Sequence, residues 1–527
     1  MPDFVALATL VAVAMLIWDC VEVGRNDAAN LVNAVFGARV LSRQRAVIIA
    51  AVAVVLGATF SAPVMETARK GIFDPTVLSL QMAIAIYVSV YFVDTLLLFG
   101  FSGYGMPVST TACLVFELVG ASLFLAGPDK VNWGKVGSVT EAIVVSIIIS
   151  GVASFMVMRA FRGTVRGNAQ DRDTVLLHGP WIAGAMLTWL TWFMVFKGLN
   201  HVPIVETFRN ETFEAYGDPF VLLTAWGGYT LLVHLFFVIG NGRGYSHLFS
   251  ATAVLGMICM AFAFGQNDLA NAASPGLAVV SLWRHADTAG EGARVGTEVA
   301  IPIWMLFGCG ALMASGMFTR YAQRVTRAEV NTGSQFDEVA LYAPEWCKSL
   351  ARAFLRFRGE GKVLAPQASL SDSGKKVHYD TLRASVITGV SASVIAFASG
   401  QGLPVSTTYV SFAAVLGTGL SDRVFARGNA DTKMGRAIWV IACWFIAPVI
   451  AIVATGCVAL IVYNLKSVGL VTCIVLNLII RQVFRRRADL HEQMSHSTKT
   501  SHDATSKDAT SNDSAPRDSD TPDPATP

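Results

Sequence analysis

Ser102–Thr111 reads SGYGMPVSTT, and Ser399–Thr408 reads SGQGLPVSTT; eight of the ten positions are identical. Working outward, a second word is also written twice, GRNDAAN at Gly24–Asn30 and GQNDLAN at Gly265–Asn271. In each half the NDxAN word comes first. Asp27 lies 80 residues before Pro107 and Asp268 lies 136 before Pro404, and the surplus of 56 is about the length of one charged insert near 320–382. Asn, Asp, Ser and Thr are costly in hydrocarbon and are kept there for function. A matched set in each half therefore points to one shared site where two repeats meet.

The text around these words is apolar. Of 527 residues, 53% are hydrophobic and only 15% charged, with a mean hydropathy of +0.52, against about 25% charged in soluble proteins. This composition specifies a polytopic membrane protein and gives no sign of nucleic-acid binding. The eight cysteines lie almost all in apolar runs without metal-ligand spacing, so they read as small buried hydrophobes. No Lys or Arg precedes the first apolar run, which argues against a cleaved signal peptide.

Thirteen runs are long enough to cross roughly 30 Å of hydrocarbon: 4–37, 46–65, 80–100, 107–126, 138–158, 180–196, 219–240, 249–283, 296–318, 384–399, 404–420, 437–463 and 467–484. Basic clusters at Arg39/Arg43/Arg45, Arg159/Arg162/Arg166/Arg172, Arg320/Arg324/Arg327, Arg423/Arg427/Lys433/Arg436 and Arg481/Arg485–Arg487 all fit the cytoplasmic side. The N-terminus is then outside and the C-terminal tail inside. On that count the two NDxAN segments run in opposite senses, as do the two PVSTT segments, and whether the latter span or re-enter is open. The expected fold is an all-α polytopic membrane protein. It is an inverted-topology repeat with two discontinuous or re-entrant helix pairs and about 12–13 transmembrane segments. The divisions are a first repeat at 1–160, connecting helices at 161–244, and a second repeat at 245–319 and 383–487. A partly helical cytoplasmic insert at 320–382 interrupts the second repeat, and a disordered tail follows at 488–527. The tail lacks apolar content to bury, and His491, His496 and His502 in it are too scattered for a metal site.

Proline favours the first helical position, so a helix is expected to begin at each PVSTT. Its unpaired N–H groups, together with Ser109, Thr110 and Thr111 in one copy and Ser406, Thr407 and Thr408 in the other, make two anion-binding ends. Glycines 103, 105, 400 and 402 let the backbone turn sharply and approach a ligand. In NDxAN, Asn26, Asp27 and Asn30, like Asn267, Asp268 and Asn271, share one helix face and offer oxygens suited to a hard cation. Two ionised carboxylates beside a divalent anion are untenable at low dielectric without cations or protons. Cation-coupled symport follows, with Asn26, Asp27, Asn267 and Asp268 as cation ligands, sodium at Asp27 and Asp268 being one option and a proton the other. The plainer alternative is that these groups only cap helices and bond between them.

The duplicated NDxAN and G-x-PVSTT words, with PVMETARKGIFD at Pro63–Asp74, resemble the inorganic phosphate transporter (PiT) family. The resemblance implies sodium- or proton-coupled uptake of phosphate, extends to sulfate permeases, and covers nearly all of the membrane part. It implies a plasma (inner) membrane protein without a bound cofactor, whose partners are inorganic phosphate or a similar oxyanion and the lipid bilayer. A homodimer is compatible with it. Where the family usually has a small residue after the motif glycine this chain has Arg25 and Gln266, and Phe264 stands where a His is frequent. Arg25 either ligates the anion, with Asn30, Asn271 and Gln266, or pairs with Asp19 or Glu22. Glu66, Arg69 and Lys70 read as an ion pair or gate at a membrane edge, and Asp94 and Glu117 as a proton route or a packed pair. A membrane enzyme acting on a phosphorylated or sulfated group is the rival from another class. No His base, nucleophile or metal cluster near the motifs supports it, and the chain reads as a transporter and not an enzyme.

Overall fold

The computed structural model describes residues 4–65, 71–73, 78–165, 171–289, 302–336, 341–356, 369–370, 374–426 and 429–511, with the backbone alone at 285–289, 426 and 491–511. Glu66, Arg69, Lys70, Arg166 and Arg427 lie outside these residues. Each of the thirteen apolar runs falls on a helix. In chain order these are α1 (Phe4–Gly37), α2 (Arg43–Ala58), α3 (Leu80–Gly103), α4 (Thr110–Ala126), α5 (Trp133–Thr164), α6 (Arg172–Thr191) and α7 (Pro203–Tyr216). After them come α8 (Asp218–Ile239), α9 (Leu248–Ala289), α10 (Ile303–Gly316), α11 (Arg320–Thr332), α12 (Glu345–Arg356), α13 (Thr381–Gly400), α14 (Thr407–Ser421) and α15 (Ala430–Ser511). Hydrocarbon leaves no water to satisfy backbone N–H and C=O groups, so each crossing segment must satisfy its own. Eight described helices are long and apolar enough to cross, while Thr110–Ala126 and Ile303–Gly316 are apolar but shorter. α15 is two helices that meet at Lys466, whose φ of 48° and ψ of −123° are not helical, and Gly469 packs back on Ile461, so the expected spans 437–463 and 467–484 lie on separate helices. The same element runs on to Ser511, past the residue 488 at which the sequence reading begins the tail.

Each PVSTT word leads into the second helix of a hairpin. α3 and α4 form a hairpin whose open end is closed by Phe73 pairing with Val131 and by the Asn132 N–H donating to Ile72 O at 2.8 Å. Its tip turns at Gly105, φ +66°, which lies against Ala328 and Arg324 of α11. α13 and α14 form a second hairpin, whose two open ends are held together because Arg162 of α5 pairs with both Asp380 and Asp422. Its tip turns at Gly402, φ +65°, beside Pro63. Because Arg383 at the start of α13 donates to Gly333 O at the end of α11 (2.7 Å), the open end of the second hairpin adjoins the tip of the first. The two hairpins therefore open toward opposite ends of the molecule.

Helix packing repeats the same scheme. α1 packs on α10 and α9 on α2, and α4 packs on α15 while α14 packs on α5. The glycines of the NDxAN words explain the first pairs. A Cβ at Gly24 would stand 1.8 Å from Met313 O, and one at Gly265 would stand 2.2 Å from Val54 O. Gly316 and Gly57 return the contact, at 2.0 Å from Val21 O and 1.9 Å from Phe262 O. Backbones that close are the small-residue packing that lipid-embedded helices use.

The basic clusters gather at one end. Arg43 donates to Met317 O (3.1 Å), Arg324 pairs with Asp489 (2.7 Å), and Arg436 donates to Gly105 O (2.7 Å). With the Arg162 pairs, these contacts tie all five clusters into one polar surface. The insert lies there as α11, α12 and a two-stranded antiparallel pair, Ser369–Leu370 with Lys376–Val377.

Candidate functional site

α1 and α9 carry the NDxAN words past the tips of the two hairpins, and each word engages both. The Asn26 amide donates to Val108 O at 2.6 Å and the Asn267 amide to Val405 O at 2.7 Å, fixing the extended residues just before each hairpin's second helix. Asn26 Oδ1 accepts from Ser102 (3.2 Å), while Asn267 Oδ1 accepts from Ser399 (3.4 Å) and from the Val405 N–H (3.2 Å). Through these bonds Asn26 and Asn267 hold the backbone of the hairpins.

The carboxylates reach across to the other half. Thr408 donates to Asp27, and Thr110 donates to Asp268 at 2.8 Å. Asn30 donates to Asp27 (2.8 Å) and Thr408 (3.0 Å); Asn271 donates to Asp268 (2.8 Å), Thr110 (3.2 Å) and Thr111 (2.8 Å). Thr111 closes the ring by donating to Val405 O at 2.9 Å. Every one of these side chains is buried. Three of their acceptor oxygens, Asp27 Oδ2, Asn30 Oδ1 and Asn271 Oδ1, have no hydrogen-bond donor in contact. An orphaned carbonyl or carboxylate oxygen is a hard ligand of the kind that holds sodium.

The helix starts differ from the sequence expectation. Ser109 and Ser406, not the prolines, bound α4 and α14, and their hydroxyls accept from the Ala112 N–H (3.0 Å) and the Tyr409 N–H (3.1 Å) as N-caps. Pro107 and Pro404 lie in the extended entry, where the Asn26 and Asn267 amides take up the carbonyls that follow. Thr407 is the first residue of α14 and is buried. The Thr110 and Thr408 hydroxyls are turned onto the carboxylates, and the cavity that reaches Asn271 and Pro404 is about 10 Å³, room for about one water and not for a tetrahedral oxyanion.

Arg25 and Gln266 are not brought among the hydroxyls. Arg25 pairs with Glu22 at 2.6 Å and lies over Phe99 and Tyr321, and Arg481 pairs with the same Glu22. Of the open alternatives the ion pair is the one formed, with Glu22 and not Asp19. Gln266 donates to Gly198 O at 2.8 Å. Both side chains sit behind the site because the i−2 position from Asp27 or Asp268 points away from the i, i+3 face that the site uses. Sequence reasoning missed Ser102 and Ser399, although both stand inside the duplicated stretch. Their pairing with Asn26 and Asn267 is a contact between words, which spacing along the chain does not display.

The sequence profile of the phosphate transporter family matches residues 23–331. Among its relatives the chain is similar to "Putative phosphate permease" of Pyrococcus furiosus, 27% identical over 467 residues, 88% of this chain and 96% of that one. It is also similar to "Inorganic phosphate transporter 2-1, chloroplastic" of Arabidopsis thaliana, 26% identical over 472 residues, 83% of this chain and 69% of that one. A solved structure called "The sodium-dependent phosphate transporter" shares its fold, with a TM-score of 0.63 at 20% identity, across 86% of this chain and 99% of that one.

Proposed function

Starting from the fact that this chain belongs to the phosphate transporter family, a family of transporters and not enzymes, we propose that the crossing of its two duplicated words is the site at which inorganic phosphate and a coupling cation are carried together. The observation that carries this reading is the crossed engagement, in which each half's carboxylate is held by the other half's threonine. No half holds a finished site, so both must move for the site to open.

Asp27 and Asp268 hold the cation, with the orphaned oxygens of Asn30 and Asn271 completing its shell. Sodium suits such oxygens better than a proton does, because an amide oxygen ligates a hard cation and does not titrate near neutral pH. With the carboxylates neutralised, Thr110, Thr111, Thr407 and Thr408 can turn their hydroxyls to the anion beside the N-termini of α4 and α14. The hairpins entering from opposite ends support an inverted-topology repeat, in which one repeat rocks against the other around a fixed centre. The basic clusters at one end support a cytoplasmic insert and tail.

The test is uptake of labelled phosphate by proteoliposomes of the full chain under a sodium gradient or a pH gradient, with excess sulfate, arsenate and molybdate as competitors. Saturable accumulation that collapses with the sodium gradient and is competed by arsenate is the expected result. Accumulation driven by pH alone would replace sodium with the proton, and stronger competition by sulfate than by arsenate would replace the anion.

A further inference from the structure

α12, Glu345–Arg356, has three faces where a helix on a soluble surface needs two. At 100° per residue, Cys347 and Ala351 fall together and are buried, Ala351 in the cluster of Phe425 and Met434. Trp346, Leu350 and Phe354 form a second apolar stripe at i, i+4 and i+8, and they are 49%, 52% and 56% exposed. Glu345, Ser349, Arg352 and Arg356 form the third, polar face, also exposed. The described residues leave Leu350 and Phe354 of this stripe more than half exposed. Its level is fixed by α15: the Trp346 ring meets that of Trp439 edge-on at 6.0 Å, and the Lys348 backbone packs on Gly435, both partners lying near the start of that apolar helix. Farther along α15, Phe445 and Val449 are themselves exposed, so the stripe continues the surface that α15 presents to hydrocarbon.

We infer that α12 lies in the membrane interface, with Trp346, Leu350 and Phe354 in the acyl boundary and Arg352 and Arg356 on the headgroups of anionic lipids. An interfacial helix is recognised by this separation of an apolar stripe from a basic one, and basic residues at the cytoplasmic leaflet attract anionic headgroups. Lys348 adds little to that charge, because it pairs with Glu345 at 2.8 Å. The occupant of the stripe is lipid and not a second protein, because the arginines flank it on the water side and the lipid-facing surface of α15 adjoins it.

The full chain is reconstituted in phosphatidylcholine with phosphatidylglycerol as the minor component, carrying photoreactive benzoyl-phenylalanine at position 349, 350, 354 or 445. Lipid adducts at 350 and 354, as at the control position 445, with none at 349, are expected. Phosphatidylglycerol should be enriched several-fold over its share of the bilayer among the adducts at 350, and Arg352→Gln with Arg356→Gln should return it to the bulk share. Adducts at 445 but not at 350 and 354, or protein–protein crosslinks from 350, would overturn the interfacial placement. Adducts at 350 without enrichment would overturn the anionic-lipid site.

Discussion

The two halves of the centre use the same words in different surroundings. On the helix of Asp268 the flanking positions are uncharged: Gln266 is bonded to a backbone carbonyl, and in the register that aligns Asp27 with Asp268 the positions of Asp19 and Glu22 are taken by Met260 and Ala263. The half that carries Asp27 also carries the buried carboxyls of Asp19, Glu22, Asp94 and Glu117 and the ion pairs of Glu22 with Arg25 and Arg481. In the register of the PVSTT words Asp94 and Glu117 correspond to Ser391 and Ala414. The shared words fix what both sides must do, which is to hold the opposite hairpin. The flanks make the two halves unequal in ionisable groups.

The largest expected effect tests the shared part. Asp268→Asn should abolish concentrative phosphate uptake by proteoliposomes while some phosphate exchange remains, and Asp27→Asn should match it because Arg25 is held by Glu22 and not by Asp27. Accumulation retained in one of the two would break the equivalence of the carboxylates. A second measurement contrasts the clamps. Arg162→Met leaves Asp380 and Asp422 buried without their cation and should lower stability by about 3–5 kcal/mol in thermal unfolding. Arg481→Met, whose partner Glu22 keeps Arg25, should cost less; equal losses would show that the two ends are held alike.

The insert covers the tip of the first hairpin only, and Glu329 of α11 reports on that cover. Burial pushes its carboxyl up to about 8, with Asn33 beside it pulling the other way. Between the ordinary carboxylate value and about 8, the folded chain holds a proton that the unfolded chain has lost. Stability should therefore fall as pH rises through that window, by about 1.4 kcal/mol per pH unit. Glu329→Gln should flatten the dependence in melts at pH 5.5, 6.5 and 7.5, and an unchanged slope would place the titration elsewhere. The smallest effects belong to the hydroxyls. Thr110→Val and Thr408→Val should each raise the phosphate concentration for half-maximal uptake several-fold, at about 0.5–1.5 kcal/mol per hydrogen bond. A clear inequality between them would mean that the anion leans on one hairpin.

Much of this was legible in the sequence for physical reasons. Thirteen apolar runs appear as helices because hydrocarbon allows a crossing segment little else, and the duplicated words converge because unpaired polar groups there must find each other. The two helix pairs were legible from the duplicated words, but whether they cross or re-enter was not: hydropathy measures transfer into lipid, and a helix that turns back scores like one that crosses. The roles of Asn26 and Asn267 were hidden for a different reason. Side chains of one composition were assigned together, whereas the structure gives the first Asn of each word to a backbone carbonyl and the second to the carboxylate and threonine. Arg25 was legible only as two alternatives, because Arg481, which shares its partner, lies more than four hundred residues away.

The crossing of the words also sets a clock on synthesis. Thr408 lies 381 residues after Asp27, and ribosomes add about 5–20 residues per second. For roughly 20–80 s the nascent first half sits in the bilayer with its central carboxylate lacking its threonine partner. Chains stalled or truncated before the second hairpin should therefore be read by membrane quality control as unfinished, however well their helices are inserted.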